Sequence, residues 1–377
     1  MQENSLESVV IVPGPNMAYL TGSEFHLSER PVVLILEQDN ATFILPELES
    51  PKISKLDIDS ITYDDKDGPK EAFQRFADNN QFKELGIESR TIRHLELNLL
   101  KTTGITSEFV DAIDIFAELR MVKSSEEIEC MTQAVKIAEN SLESVLDKIK
   151  PGVTEKEFAS ELVIKLFRNG SDSHLPFSPI VASGVNAANP HHFPTDKEFE
   201  EGELIIIDWG ATCGGYFSDI TRTFALGKNI DDKLIKAYEV VKQANKSARL
   251  VAKAGVEAGI VDKAARNIIE ESGLGEYFTH RTGHGLGLEI HEEPYIKPDN
   301  NFVLEEGMTF TIEPGIYLPD LGGIRIEDDV YLTSSKSKSL TTLPRDSNAF
   351  VYLASFSHRY LAVFVSFLSA AITSSAL

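Results

Sequence analysis

The chain has 377 residues, with 36 lysines and arginines against 59 aspartates and glutamates, for a formal charge of −23. Charged residues at 25% and hydrophobic ones at 42% are the ordinary mix of a globular protein, which argues against wholesale disorder or a fibrous chain. The acidic balance works against binding nucleic-acid phosphates or anionic lipid, both of which need clustered Lys and Arg, and it suits cations wherever carboxylates are organised.

At about 150 residues per domain the length allows two domains or slightly more. In chain order, Val9–Val12, Pro31–Leu36 and Ala41–Leu45 read as strands, and Phe73–Asp78 and Leu95–Leu100 as helices. This region has no GxGxxG or GxxxxGK[ST] phosphate loop. Residues 1–120 are therefore expected to form a smaller α/β domain with a structural or oligomerising role. The N-terminus lacks the basic start and apolar core of a signal peptide, and a cytoplasmic location is expected. Cys130 and Cys213 are too few for a disulfide framework and fit a reducing compartment.

Chain character changes near Arg120. Ser124 and Glu127 match a capping box, and Ile128, Met131, Val135, Ala138, Leu142 and Val145 follow at helical spacing. Thr154 and Glu157 form a second box, opening a helix that should stop at Gly170. Further helices are expected from Asp232 to about Ala252 and over Val261–Ser272. Leu204–Trp209, Tyr216–Ala225, Met308–Ile312 and Gly323–Leu332 read as strands. Helices with mainly antiparallel strands indicate an α+β catalytic domain over 121–346. Residues 347–377 differ: they carry one charged residue, Arg359, and the apolar run Leu361–Ile372, too short for the ~20 residues of a membrane span. They read as an atypical apolar tail.

Acidic residues recur at the ends of apolar strands. Asp208 closes Leu204–Ile207, where an unpaired charge at the edge of a core is costly. A hairpin turning at Cys213-Gly214-Gly215 would set Asp208 opposite Asp219, both carboxylates on one face. Two facing like charges need a cation or a proton; otherwise the hairpin is exposed and its acids are solvated. Glu313 ends Phe310–Ile312, and Arg325 and Glu327 share one face of their strand. The glycines beside His284 let backbone approach closely and should leave its imidazole uncovered. A lone histidine, by contrast, is often only a hydrogen-bonded core residue. Two aspartates and two glutamates match the charge of two divalent cations. One imidazole among oxygen ligands suits Mn²⁺, Co²⁺, Fe²⁺ or Zn²⁺. Carboxylates can hold such a pair ~3.5–4 Å apart.

The ordered set Asp208, Asp219, His284, Glu313, Glu327 resembles the five-ligand signature of the pita-bread metallopeptidases, the family of methionine aminopeptidase, aminopeptidase P and prolidase. The words DWG, SDITRT, GHGLGLEIHEEP, IEPGIY and GGIRIEDD match as well, and ASGVNAANPH resembles the substrate-side histidine segment. Upstream, PNMAYLTG resembles the creatinase/prolidase-like N-terminal domain of the Xaa-Pro aminopeptidase and prolidase branch. The resemblance implies a pita-bread catalytic domain and two divalent ions, with Mn or Co favoured over Zn or Fe. Asp208 would bind one ion, His284 and Glu313 the other, and Asp219 and Glu327 both. Glu313 would also shuttle a proton, His291 would hydrogen-bond the tetrahedral intermediate or substrate backbone, and His191 would contact the substrate. Arg325, with Tyr317 and Thr221, would orient the carboxylates from behind. The implied partners are short proline-containing peptides and a second copy of the chain, with no nucleic acid or membrane. One departure is Pro294-Tyr295, where some prolidases carry an arginine that clamps the substrate carboxylate.

The expected function is therefore a dinuclear metal-dependent exopeptidase cleaving the Xaa-Pro bond at the N-terminus of dipeptides or short peptides. A same-fold lyase or hydrolase acting on a small non-peptide metabolite is the alternative. A non-enzymatic binding module fits less well, because all five ligands are retained.

Overall fold

The computed structural model describes residues 6–346; the tail expected over 347–377 lies outside them. The chain divides into two compact units, Met1–Arg120 and Met121–Leu377.

The first unit is built on a six-stranded mixed sheet. Its elements are β1 (Ser8–Ile11), α1 (Pro15–Thr21), β2 (Val33–Glu37), β3 (Ala41–Pro46), β4 (Asp59–Tyr63), α2 (Pro69–Ala77), β5 (Phe82–Ile87), α3 (His94–Thr103), β6 (Thr106–Asp111) and α4 (Ile113–Met121). The strand order is β4-β3-β2-β1-β5-β6. Val10, Ile35 and Ile44 face Phe73 and Leu100, while Val9, Ile11, Leu34 and Phe43 face Met17 and Phe116. Both faces are covered, which is why these strands read as unbroken apolar runs.

The second unit begins with α5 (Ser125–Glu143) and α6 (Glu155–Arg168). Both expected capping boxes form: Ser124 and Thr154 accept from the amides of Glu127 and Glu157, whose carboxylates accept in return. The elements that follow are β7 (Ile180–Ser183), β8 (Leu204–Trp209), β9 (Thr212–Cys213), β10 (Tyr216–Phe217), β11 (Ile220–Ala225), α7 (Asp232–Val251) and α8 (Ala258–Glu271). The C-terminal strands are β12 (Gly283–Gly285), β13 (Glu292–Ile296), β14 (Thr309–Ile312), β15 (Gly315–Leu318), β16 (Gly322–Arg325), β17 (Asp328–Leu332) and β18 (Ser337–Ser339). They assemble into an antiparallel sheet β11-β8-β7, a sheet β13-β12-β14-β17-β18 and the ribbons β9–β10 and β15–β16. No helix among the described residues is long and apolar enough to cross a membrane.

Two strands expected to be continuous are broken. Tyr216–Ala225 divides at Ser218-Asp219, and Gly323–Leu332 divides at Ile326-Glu327. At both breaks an acidic residue leaves the ladder. The second break is held by Arg222, which is 1% exposed. Its guanidinium donates to the carbonyls of Thr221, Glu327, Leu343 and Pro344 and to the Asp328 carboxylate. Arg222→Met removes these donors and leaves the acceptors buried. It should destabilise the unit by about 3 kcal/mol, read as a lowered denaturation midpoint.

Candidate metal centre

Strand β8 sorts its side chains by parity. Ile205, Ile207 and Trp209 enter the core beside Met131, Phe158 and Phe224, and the Trp209 indole donates to the Ala138 carbonyl at 2.9 Å. Ile206 faces the other way, toward Ala182, Ala187 and Tyr317. Asp208 has the parity of Ile206 and is turned to that second face.

The expected hairpin register is off by two residues. Asp208 pairs with Thr221, and Asp219 lies just beyond the end of β11. Backbone packing fixes the shift: a Cβ on Gly210 would stand 2.0 Å from the Ser218 carbonyl oxygen, so only glycine lets the two chains approach there. A shift of two keeps a side chain on the same face, so Asp219 still joins Asp208. Its amide donates to Asp329 Oδ2 at 3.0 Å.

Glu313 and Glu327 are placed by one residue that the sequence reading missed. Each acid follows an isoleucine at a point where its strand changes sheet. Asn245 on α7, fully buried, donates its side-chain amide to the carbonyls of both isoleucines, Ile312 at 3.0 Å and Ile326 at 3.3 Å. Buried carbonyls freed by a break in the ladder need such donors. Glu327 Oε2 then accepts from Thr221 Oγ1 at 2.6 Å, and Glu313 Oε1 from Thr311 Oγ1 at 3.2 Å.

His284 is on β12, between β13 and β14. A Cβ on Gly283 would meet the Thr311 carbonyl oxygen at 1.9 Å, and one on Gly285 the Glu293 carbonyl oxygen at 2.2 Å. The expected close backbone approach is therefore present. The imidazole is not uncovered, however: it is 2% exposed and stacks edge-on with His291 at 4.2 Å. Its Nδ1 lies 3.1 Å from the Gly285 carbonyl, which fixes the proton on Nδ1. The Nε2 lone pair consequently points at Glu313 Oε1 at 3.3 Å and Asp219 Oδ2 at 3.6 Å.

Electron-rich atoms facing one another in a dry site require something positive between them. Burial, and then the neighbouring acids, hold the Asp219 and Glu327 carboxyls well above their ordinary range. Burial raises Asp208 despite Arg325, and pushes Glu313 up to about 7. Burial and the nearby His291 keep His284 far below its usual value and neutral. Ligand atoms of Asp219, His284 and Glu327 lie within 4.8 Å of one another, and Asp208 Oδ1 is buried with no hydrogen-bond partner. An orphaned carboxylate oxygen, clustered acids and a bare imidazole nitrogen fit divalent cations.

The expected supporting residues are close by. Arg325 donates to Asp208 Oδ2 at 2.6 Å, Thr221 Oγ1 at 3.1 Å and Tyr317 Oη at 2.8 Å. Tyr317 also reaches His280 Nε2 at 3.0 Å, a contact absent from the sequence reading. Asp262 was missed too. It accepts from the Thr282 amide and hydroxyl, and the Thr282 carbonyl in turn accepts from the Glu313 amide at 2.7 Å. His291 and His191 are exposed. His291 meets the cluster through His284, and His191 makes no hydrogen bond to the ligand set.

Carboxylates and a neutral imidazole gathered at the breaks of antiparallel strands define a metal-dependent hydrolase. The chain belongs to metallopeptidase family M24, whose model matches residues 129–334, and residues 1–122 match the creatinase/prolidase N-terminal domain. It is 36% identical over 353 residues to an Xaa-Pro dipeptidase of Pyrococcus horikoshii, covering 92% of this chain and 95% of that one. A Pyrococcus furiosus Xaa-Pro dipeptidase is 38% identical over 356 residues, 92% of this chain and 96% of the relative. Among solved structures, a Pyrococcus horikoshii dipeptidase superposes with a TM-score of 0.86 at 41% identity, covering 91% of this chain and 96% of that chain. The resemblance drawn from the motifs, and the fold it implied, are borne out.

The proton balance gives a test. In the metal-free protein the four carboxyls hold protons that the unfolded chain has already lost near pH 4. Their contribution to stability is complete below that pH; the part from Glu313 is lost as pH rises through about 7. His284, already neutral when folded, loses its proton in the unfolded chain around pH 6.5, so it adds stability as pH rises through that value and nothing well above it. A divalent cation takes the place of the protons. The rise in Tm on adding Mn²⁺ should be larger at pH 8 than at pH 6.5; equal rises by scanning calorimetry would contradict this.

Proposed function

We propose that the protein is a dinuclear metal-dependent exopeptidase that hydrolyses the Xaa-Pro bond at the N-terminus of dipeptides and short peptides. One observation carries the reading: the bare His284 Nε2 lies 3.6 Å from Asp219 Oδ2 and 3.3 Å from Glu313 Oε1 in a buried site. The names of the Pyrococcus relatives support the choice of substrate.

Asp208, Asp219, His284, Glu313 and Glu327 would hold two divalent ions, Mn or Co in preference to Zn or Fe. When bound, the metal polarises the scissile carbonyl and makes water nucleophilic at neutral pH. Glu313 is the base of the site. Its carboxyl, raised by burial, takes a proton from the attacking water and delivers it to the leaving proline nitrogen. His291, beside His284, donates a hydrogen bond to the carbonyl oxygen as charge develops there. Arg325 orients Asp208 and opposes the upward push of burial on its carboxyl, with Thr221 linking it to Glu327 and Tyr317 bracing its other edge. His191 contacts the substrate. Near the HEEP segment, where some prolidases carry an arginine, the Arg281 guanidinium lies 4.4 Å over the Tyr295 ring, and burial followed by this charge lowers His291.

Residues 1–120 and 121–346 serve as two domains, and the first mediates a homodimer in the cytoplasm; light scattering at the monomer mass would refute the dimer. Activity is tested with Xaa-Pro dipeptides beside Xaa-Pro-Yaa tripeptides after loading with Mn²⁺, Co²⁺ or Zn²⁺. Failure to cleave either class under any metal overturns the reading.

Ligand variants separate the roles. Asp219→Asn and Glu327→Gln should lose more bound metal than Asp208→Asn, because each serves both ions. His291→Ala should keep its metal and lose ~10²–10³ in kcat, the cost of one such hydrogen-bond donor. Elemental analysis beside initial rates reads both, and metal-free His291→Ala would make His291 a ligand.

A further inference from the structure

His191 is carried by the long connection from β7 to β8, which has little regular structure. A single 3-10 segment, Gly184–Ala188, opens it. Hydrophobic burial holds the far end, at Phe199, but not the stretch around His191: Phe193, two residues beyond it, is 80% exposed.

The stretch around His191 is organised around one carboxylate. Glu155, the first residue of α6, is fully buried. Its Oε1 accepts from the Ser183 amide at 2.8 Å, the Ser183 hydroxyl at 3.1 Å and the Asn186 side-chain amide at 3.1 Å. Its Oε2 accepts from His192 Nε2 at 2.9 Å, the Thr195 amide at 3.0 Å and the Thr195 hydroxyl at 2.7 Å. These donors come from Ser183, the last residue of β7, and from the connection itself, and they lie on both sides of His191. A buried carboxylate is tolerable only while its lone pairs are filled, so the connection cannot drift away without stranding a charge. The helix start does not require Glu155, since Thr154 and Glu157 already cap it.

A second tie faces the carboxylate cluster. Arg325 Nη1 donates to the Pro190 carbonyl at 3.3 Å, while its Nη2 holds Asp208. His191 therefore sits between two anchored neighbours, Pro190 on the arginine of the metal centre and His192 on Glu155.

We propose that Glu155 is a positioning residue for hydrolysis, fixing the 183–195 segment so that His191 meets the substrate; this rests on the substrate-contacting role given to His191 above. Glu155 lies outside the ligand set and acts through His191.

The test is Glu155→Gln in the full-length, Mn²⁺-loaded enzyme, alone and combined with His191→Ala. Glutamine keeps the shape but turns an N–H pair toward groups that are themselves donors. KM for an Xaa-Pro dipeptide should rise about tenfold or more, as expected of a displaced positioning segment. The kcat and bound Mn²⁺ should stay near wild type, and the Ser183 and Thr195 amides should exchange faster. In the double variant, KM should be no higher than in His191→Ala alone, because both changes remove one contact. If Glu155→Gln keeps a wild-type KM while His191→Ala is impaired, or if the two effects add fully, the inference is overturned. If His191→Ala itself keeps a wild-type KM, the reading on which the inference rests fails. Thr195→Val, which deletes a single donor, carries the same expectations at smaller size if Glu155→Gln does not fold.

Discussion

The mutual repulsion of Asp208, Asp219, Glu313 and Glu327 is the constraint that the rest of the catalytic unit answers. Three of these side chains are buried and the fourth is 15% exposed. Among the described residues, the one arginine or lysine ion-paired with any of them is Arg325, through Asp208. The acids hold protons beyond their ordinary range, and the imidazole among them is kept neutral. Such a cluster is destabilising by itself. It persists because the backbone around it is over-determined: Gly210, Gly283 and Gly285 let chains touch, and Arg222 and Asn245 satisfy the carbonyls left open where strands break.

A second feature is the depth of polar structure behind the ligands. Asp328 accepts from Arg222, Asn245, Thr341 and Arg345, and burial notwithstanding, those cations hold its carboxyl far below the usual range. It adjoins Glu327 and Asp329 in sequence, yet its electrostatics are the reverse of theirs. Three consecutive acids thus do different jobs: one toward the cluster, one in an arginine cage, and one receiving the Asp219 amide. Hydrogen-bond partners, more than burial, decide which acid stays ionised.

Much of this was legible in the sequence, for identifiable reasons. An acid ending an apolar strand is visible in a one-dimensional pattern, so Asp208 and Glu313 stood out; Glu327 did so by alternation with Arg325, and the capping boxes at Ser124 and Thr154 by their spacing. What escaped notice depends on contacts between distant segments. The hairpin register is set where Gly210 touches Ser218, which turn composition does not encode. The strand breaks at Asp219 and Glu327 follow from sheet changes, whereas an alternating pattern suggests continuity. Asn245 reads as one polar residue on an amphipathic helix. Glu155 was hidden beside a capping box that explained the helix start without it.

The double use of Asn245 has a consequence for ion choice. One rigid side-chain amide grips the main chain ahead of both Glu313 and Glu327, so the two Cα positions move together or not at all. Differences in ionic radius must then be absorbed by side-chain torsions. Glutamate has one more rotatable bond than aspartate with which to do so. The longer acids stand at the clamped corners, while the shorter Asp208 and Asp219 come from the β8–β11 hairpin, whose own backbone is fixed by glycine contact. Were cations held there as proposed, accommodating different ones would fall to two flexible stems on an otherwise unyielding frame.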